Sequence, residues 1–172
     1  MGKDYVTTMS GRMVSLVDPQ PEDIHLPDIL AHLMNLRRFN GSIPWSVLEH
    51  SVLAWLIDST PETLMHDAHE AYIGDIITPV GILLGASVAQ LKQRLQAVIN
   101  DRLGLRHDYD SSAADLRAME IEIGTLMQPK QAALFLQQER NAQAVLHTRQ
   151  IGLRPFVHYW GTHANLPSDL AS

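Results

Sequence analysis

The sequence predicts an all-α fold with one short N-terminal hairpin or extended segment. Three observations carry this. Apolar residues recur at helical spacing along most of the chain. Helix start and stop signals bracket those stretches, and only Tyr5 to Asp18 lacks the pattern. That N-terminal stretch holds a Ser10–Gly11 turn signal and at most a small hairpin.

The elements follow in order. Leu26, Ile29, Leu30, Leu33 and Met34 define an amphipathic helix that runs to about Leu36. Trp45 to Ile57 is more uniformly apolar and reads as a central helix. Thr60 is an N-cap with Pro61 at the first helical position, and Gly74 is the expected stop of that helix. Around Thr78 the Thr-Pro-Val stretch reads as a turn. Val88, Leu91, Leu95, Val98, Ile99 and Leu103 form the next stripe, closed by Gly104. Ser111 or Ser112 caps a helix holding Asp115, Met119 and Leu126. Pro129 starts another that reaches about His147, a short one follows Pro155, and the tail after Leu166 is expected to fray.

Composition bounds the rest. The chain has 172 residues, 45% apolar and 19% charged, which suits one domain with a sizeable core. Its 13 basic and 19 acidic residues leave a net charge of −6. That argues against coating nucleic acid or an anionic membrane, which need a broad basic face. With no cysteine, disulfides, thiolate metal sites and cysteine nucleophiles are excluded. A reducing, cytoplasmic setting fits. Met1 to Ser10 lack a signal-peptide core. The uncharged run Ile76 to Gln90 is too short and too broken by Pro79, Gly81 and Gly85 to cross a membrane.

The chemistry concentrates between Leu64 and Asp75, which reads Leu-Met-His-Asp-Ala-His-Glu-Ala-Tyr-Ile-Gly-Asp. On a helix, adjacent His66 and Asp67 lie about 100° apart and can converge on one point in front of it. Glu70 follows on the same face. Burying an imidazole and two carboxylates together is costly without a compensating cation. Taken singly, a His-Asp pair most often belongs to a solvated face. Here His50 sits in a mainly apolar helix, facing the core or a cleft, and Asp115 is in register with Met119. His25, His32, His107, His147, His158 and His163 lack ligand spacing and read as structural or exposed. Trp45, Trp55 and Trp160 read as core or interface aromatics, and Arg37 as solvated.

The first His, the His66-Asp67 pair and the later Asp115 resemble the HD-domain metal-dependent phosphohydrolases. Arg37 to Gly41, Glu49 to Leu53 and the motif through Gly74-Asp75 are similar to one branch of that family. It holds the bacterial 5′-deoxynucleotidases and the small phage hydrolases of dATP. The opening Ser-Gly-Arg and Asp18-Pro19 also look like the phage forms. The resemblance spans about residues 8–126, within a single HD-type domain over 1–172 whose C-terminal helices occupy 129–166.

The resemblance implies one divalent transition ion, Co²⁺, Mn²⁺, Zn²⁺ or Ni²⁺, on His50, His66, Asp67 and Asp115. It implies Glu70 as the catalytic carboxylate, Asp75 as a second polar site residue and Arg38 as the phosphate-binding arginine. Phe39 would lie against the sugar and favour deoxyribose, and His69 could line the pocket. Relatives of this type carry a basic residue after the Thr-Pro-Val turn, where this chain has Gly81. The implied activity is release of triphosphate from dATP. Alternatives are a 5′-deoxynucleotidase acting on deoxynucleoside monophosphates and a non-catalytic helical scaffold. A homo-oligomer, dimer or hexamer, is the expected assembly, with Phe135, Phe156 and Trp160 as exposed-looking apolar residues.

Overall fold

A computed structural model of the protein describes residues 4–42, 45–126, 148 and 151–161. The elements are mostly helical, with one two-stranded hairpin. Contacts divide the chain into two units, Met1–Val47 with His66–Tyr109, and Leu48–Met65 with Asp110–Ser172.

In the first unit, β1 (Tyr5–Thr7) pairs antiparallel with β2 (Met13–Ser15), Val6 opposite Val14. The turn between them needs a left-handed residue and has one in Gly11, at φ +82°. Asp28 fastens the hairpin to the next helix. Its carboxylate accepts from Thr8 Oγ1 at 2.9 Å, Ser10 N at 2.9 Å and Ser10 Oγ at 2.6 Å. Burial raises the Asp28 pKa, but these bonds and nearby His25 outweigh it and hold it below the usual carboxylate range.

Asp28 lies in α1 (Leu26–Asn35), whose Leu26, Ile29, Leu30 and Leu33 are buried as the stripe predicts. The loop after it contains Phe39 and Asn40 at positive φ, and is closed by Arg38 N–H on Trp45 O at 3.0 Å. Because Arg37 and Ser46 pair as a bridge, the next helix begins at Val47 rather than at Trp45.

The expected continuous helix up to Gly74 is broken. It becomes α3 (Pro61–Leu64), a run of tight turns over 65–69, and α4 (Glu70–Ile73). Within the first unit α4 packs on α1, where the His32 ring Nδ1 lies 2.7 Å from Ala71 O. Thr78–Leu84, which includes the Thr-Pro-Val stretch expected to turn, forms helix α5 with Pro79 in its first turn. Its Ile82, Leu83 and Leu84 are exposed. Helix α6 (Ala86–Leu103) ends as expected at Gly104, which is left-handed at φ +70°. It is tied back by Arg94 to Leu16 O and Val17 O, and by Arg102 to Ile24 O.

The second unit contains most of α2 (Val47–Ile57), with His50, Ser51, Val52, Leu53 and Ala54 all buried. Thr60 caps α3 as expected, its Oγ1 accepting from Thr63 N at 3.2 Å, an interaction worth about 1 kcal/mol. Helix α7 (Ser112–Leu126) starts after Ser111 as expected, with Ser111 O accepting from Asp115 N, and Asp110 Oδ1 also accepts from Ser112 N at 3.0 Å.

Helix α8 (Arg154–Trp160) begins around Pro155 as expected. It is held by Trp55 Nε1 donating to Tyr159 OH, which donates to Ser59 O. Phe156, expected to be exposed, is only 1% exposed, because its ring is the core-facing residue of this helix. Trp160 is half-buried. Phe135, the helix expected from Pro129 to His147 and the tail after Leu166 lie outside the described residues. Among those described, no helix is long and apolar enough to cross a membrane.

Candidate functional site

The break in the 61–74 segment shapes the cluster of polar residues in the first unit. Backbone bonds run from Glu70 N to Asp67 O, Ala71 N to Ala68 O and Tyr72 N to His69 O, each spanning three residues. In such tight turns residues three apart eclipse, so Glu70 lies over Asp67 more directly than an α-helix would place it. One ligand-capable atom from each of Asp67, His69 and Glu70 lies within 4.8 Å of the others. His66 Nε2 stands 3.2 Å from Asp67 Oδ2. Gly74, at φ +79°, then turns the chain toward Asp75.

Two cations face these carboxylates. Arg38, buried, brings a guanidinium nitrogen to 3.6 Å from Asp67 Oδ2 and stands 5.4 Å over the Phe39 ring. Lys92 on α6 brings Nζ to 3.8 Å from Glu70 Oε1. The Phe39 backbone N–H donates to the Asp75 carboxylate. His69 Nδ1 is 3.1 Å from Gln96 Oε1, and Gln96 in turn donates from Nε2 to Asn100 Oδ1 at 2.9 Å.

Burial dominates the electrostatics. It pushes the Glu70 carboxyl up to about 9, with Asp67 and Asp75 adding to the shift and Lys92 and Arg38 opposing it. Asp75 is raised by burial and Asp67, against Arg38, Lys92 and the Phe39 N–H. His69 is lowered, by burial first and then by Lys92 and His66, while Asp67 and Gln96 favour its charged form. Glu70 Oε2 and His69 Nε2 are buried without a hydrogen-bond partner among the described residues. Such orphans call for a bound ion or water.

Stability should follow the same proton. A carboxyl raised in the folded state stabilises the fold only while protonated, so the ion-free protein should lose stability from about pH 4.5 through about pH 9. Its thermal midpoint is expected to fall more between pH 6 and pH 9 than that of Glu70→Gln. Parallel curves for the two proteins would refute the assignment.

The second unit holds a His/Asp pair of its own. His50 on α2 is fully buried, with Nε2 3.0 Å from Asp115 Oδ1 and Nδ1 2.8 Å from Glu122 Oε1, both on α7. The Asp115 side chain remains 42% exposed. The sequence reading did not single out Glu122. The available signal was its place two helical turns after Asp115, on the same face of α7.

Of the residues singled out from sequence, Arg38, Phe39, His66, Asp67, His69, Glu70 and Asp75 thus gather in the first unit. His50 and Asp115 pair in the second. Lys92 was missed as well, since a lone lysine on an exposed helix carries no spacing signal. In the first unit Asp67, His69 and Glu70 form a group that could hold a divalent ion, and the second unit presents the His50/Asp115 pair. The donor set suits a borderline transition metal. The N···O separations of 3.0 and 3.2 Å within the two His/Asp pairs are those that two ligands of one ion can span.

No family model matches the chain. It is similar to an uncharacterized protein of Rhodobacter capsulatus, 34% identical over 61% of this chain and 61% of that protein. It is also similar to the uncharacterized protein YfdR of Escherichia coli K12, 34% identical over 59% of each. The chain therefore spans about 60% of the length of the curated relatives it matches.

Proposed function

We propose that the protein is a metal-dependent phosphohydrolase of deoxynucleotides, in its sharpest form one that releases triphosphate from dATP. The observation that supports this best is the pairing of cations with metal-type donors in the first unit. Arg38 and Lys92 stand against Asp67 and Glu70, beside His66, and two oxygen or nitrogen atoms there lack partners among the described residues. An anionic, phosphate-bearing substrate fits such a mixture better than a neutral one.

In this reading His50, His66, Asp67 and Asp115 are the ligand set that the sequence pattern implies. A bound ion would polarise a phosphorus centre and lower the pKa of its water. Glu70, whose carboxyl burial favours in the protonated form, would give its proton to the departing 5′ oxygen. The water oxygen bonds to phosphorus as the P–O5′ bond breaks, and a water proton returns to Glu70. Arg38 offsets phosphoryl charge, and Phe39 lies against the sugar and favours deoxyribose. Asp75 and His69 hold water or substrate polar groups.

The chain would work on the cytoplasmic nucleotide pool as a homo-oligomer. A monomeric mass by light scattering at micromolar concentration would contradict the assembly. The activity is tested with dNTPs, dNMPs and rNTPs in Co²⁺, Mn²⁺ and Mg²⁺, resolving the products. Triphosphate released from dATP is the expected result. Phosphate from dNMPs alone would make the protein a 5′-deoxynucleotidase, and no turnover with any metal would overturn the enzyme reading.

A further inference from the structure

The geometry points to Glu122 as a positioning residue that sets the His50 ring as a metal ligand, an inference that rests on the metal-dependent reading above. Both side chains are fully buried, and Glu122 Oε1 lies 2.8 Å from His50 Nδ1. With the Glu122 oxygen accepting, the proton of this contact sits on Nδ1. Nε2 is then the ring atom that would bind a cation. Nε2 is the ring atom beside Asp115 Oδ1, at 3.0 Å, where a nitrogen and an oxygen donor would share an ion.

The placement in the fold supports the same assignment. His50 sits on α2, among Ser51, Val52, Leu53 and Ala54, all buried. Glu122 sits on α7 beside buried Ile121 and Ala118. A carboxylate sequestered in apolar surroundings needs a charged or strongly polar counterpart. His50 is such a counterpart. Glu122 thus holds one nitrogen of the ring, while Asp115, two turns earlier on the same helix, stands beside the other as a second donor for an ion.

The test uses the full chain and zinc alone as probe. Glu122→Gln is nearly isosteric but can place an N–H against Nδ1, which favours the tautomer with its proton on Nε2. Zinc affinity, measured by competition with a chelator, is expected to fall about 10- to 100-fold, the usual consequence of losing an outer partner of a metal-bound histidine. Glu122→Asp, which keeps the charge, should recover part of that loss. Unchanged zinc affinity in a folded Glu122→Gln would overturn the inference.

Should Glu122→Gln not fold, ¹⁵N-histidine NMR of the zinc-loaded wild-type chain decides instead. A proton on His50 Nδ1 with zinc on Nε2 supports the assignment, and zinc on Nδ1 overturns it. A wild-type chain that binds no zinc, cobalt or manganese overturns the metal-dependent reading itself, a failure distinct from either of these.

Discussion

Asp67→Ala is expected to bind no divalent ion, with elemental analysis of the purified variant falling to background. The substitution removes an anionic donor and takes away the oxygen 3.2 Å from His66 Nε2. It also leaves Arg38, whose guanidinium stands 3.6 Å from that same oxygen, without this counter-charge in a buried place. A metal site that keeps its imidazoles but loses a carboxylate gives up both charge compensation and a fixed geometry. Circular dichroism should show the helices retained, so that the loss reads as a site effect. Full metal occupancy in a folded Asp67→Ala would remove Asp67 from the ligand set.

Glu70→Ala should behave differently. It is expected to keep the metal and bind nucleotide, while turnover drops by roughly 10²- to 10⁴-fold, the range for losing a general acid or base. The reason lies in its setting: one oxygen near Lys92, the other without a hydrogen-bond partner among the described residues, and a proton held to about pH 9. Arg38→Ala provides the contrast. A cation that contacts phosphate in both ground and transition states should raise KM as well as lower kcat. Near-normal turnover by Glu70→Ala would reduce Glu70 to a supporting residue and pass the proton to Asp75 or to metal-bound water.

Local signals in the sequence account for much of the fold. Thr60 before Pro61, Gly104 after a stripe of aliphatic residues, and Ser10–Gly11 between short β runs each act within a few residues, and each does so here. What escaped depends on distant partners. Nothing in Leu-Met-His-Asp-Ala-His-Glu breaks a helix by propensity, yet the segment tightens into three-residue turns with α4 packed on α1. Helix α5 was hidden because its Pro79, which suits a first helical turn, also suits a turn.

The site shows the same division. His50, His66, Asp67, Glu70 and Asp115 could be singled out because their residue types stand out against apolar helices. Glu122 and Lys92 could not. A buried glutamate and a surface lysine look alike in a sequence, and only the facing residue distinguishes them. Lys92 is recognised only through Glu70, whose Oε1 lies 3.8 Å from its Nζ.

The loop at Phe39 and Asn40 bears on how this protein could be re-engineered. Two consecutive non-glycine residues stand at positive φ, 52° and 54°, which costs on the order of 1–2 kcal/mol at Phe39. Asparagine tolerates that conformation and phenylalanine does not, so a redesign scored on folding alone would replace Phe39 with glycine. The stabilised Phe39→Gly product would lack the ring that Arg38 stands over, while the backbone N–H at that position could still reach Asp75. Under the proposed function, a thermostability campaign would thus enrich a change that removes a substrate contact, and screening by melting temperature alone would select it.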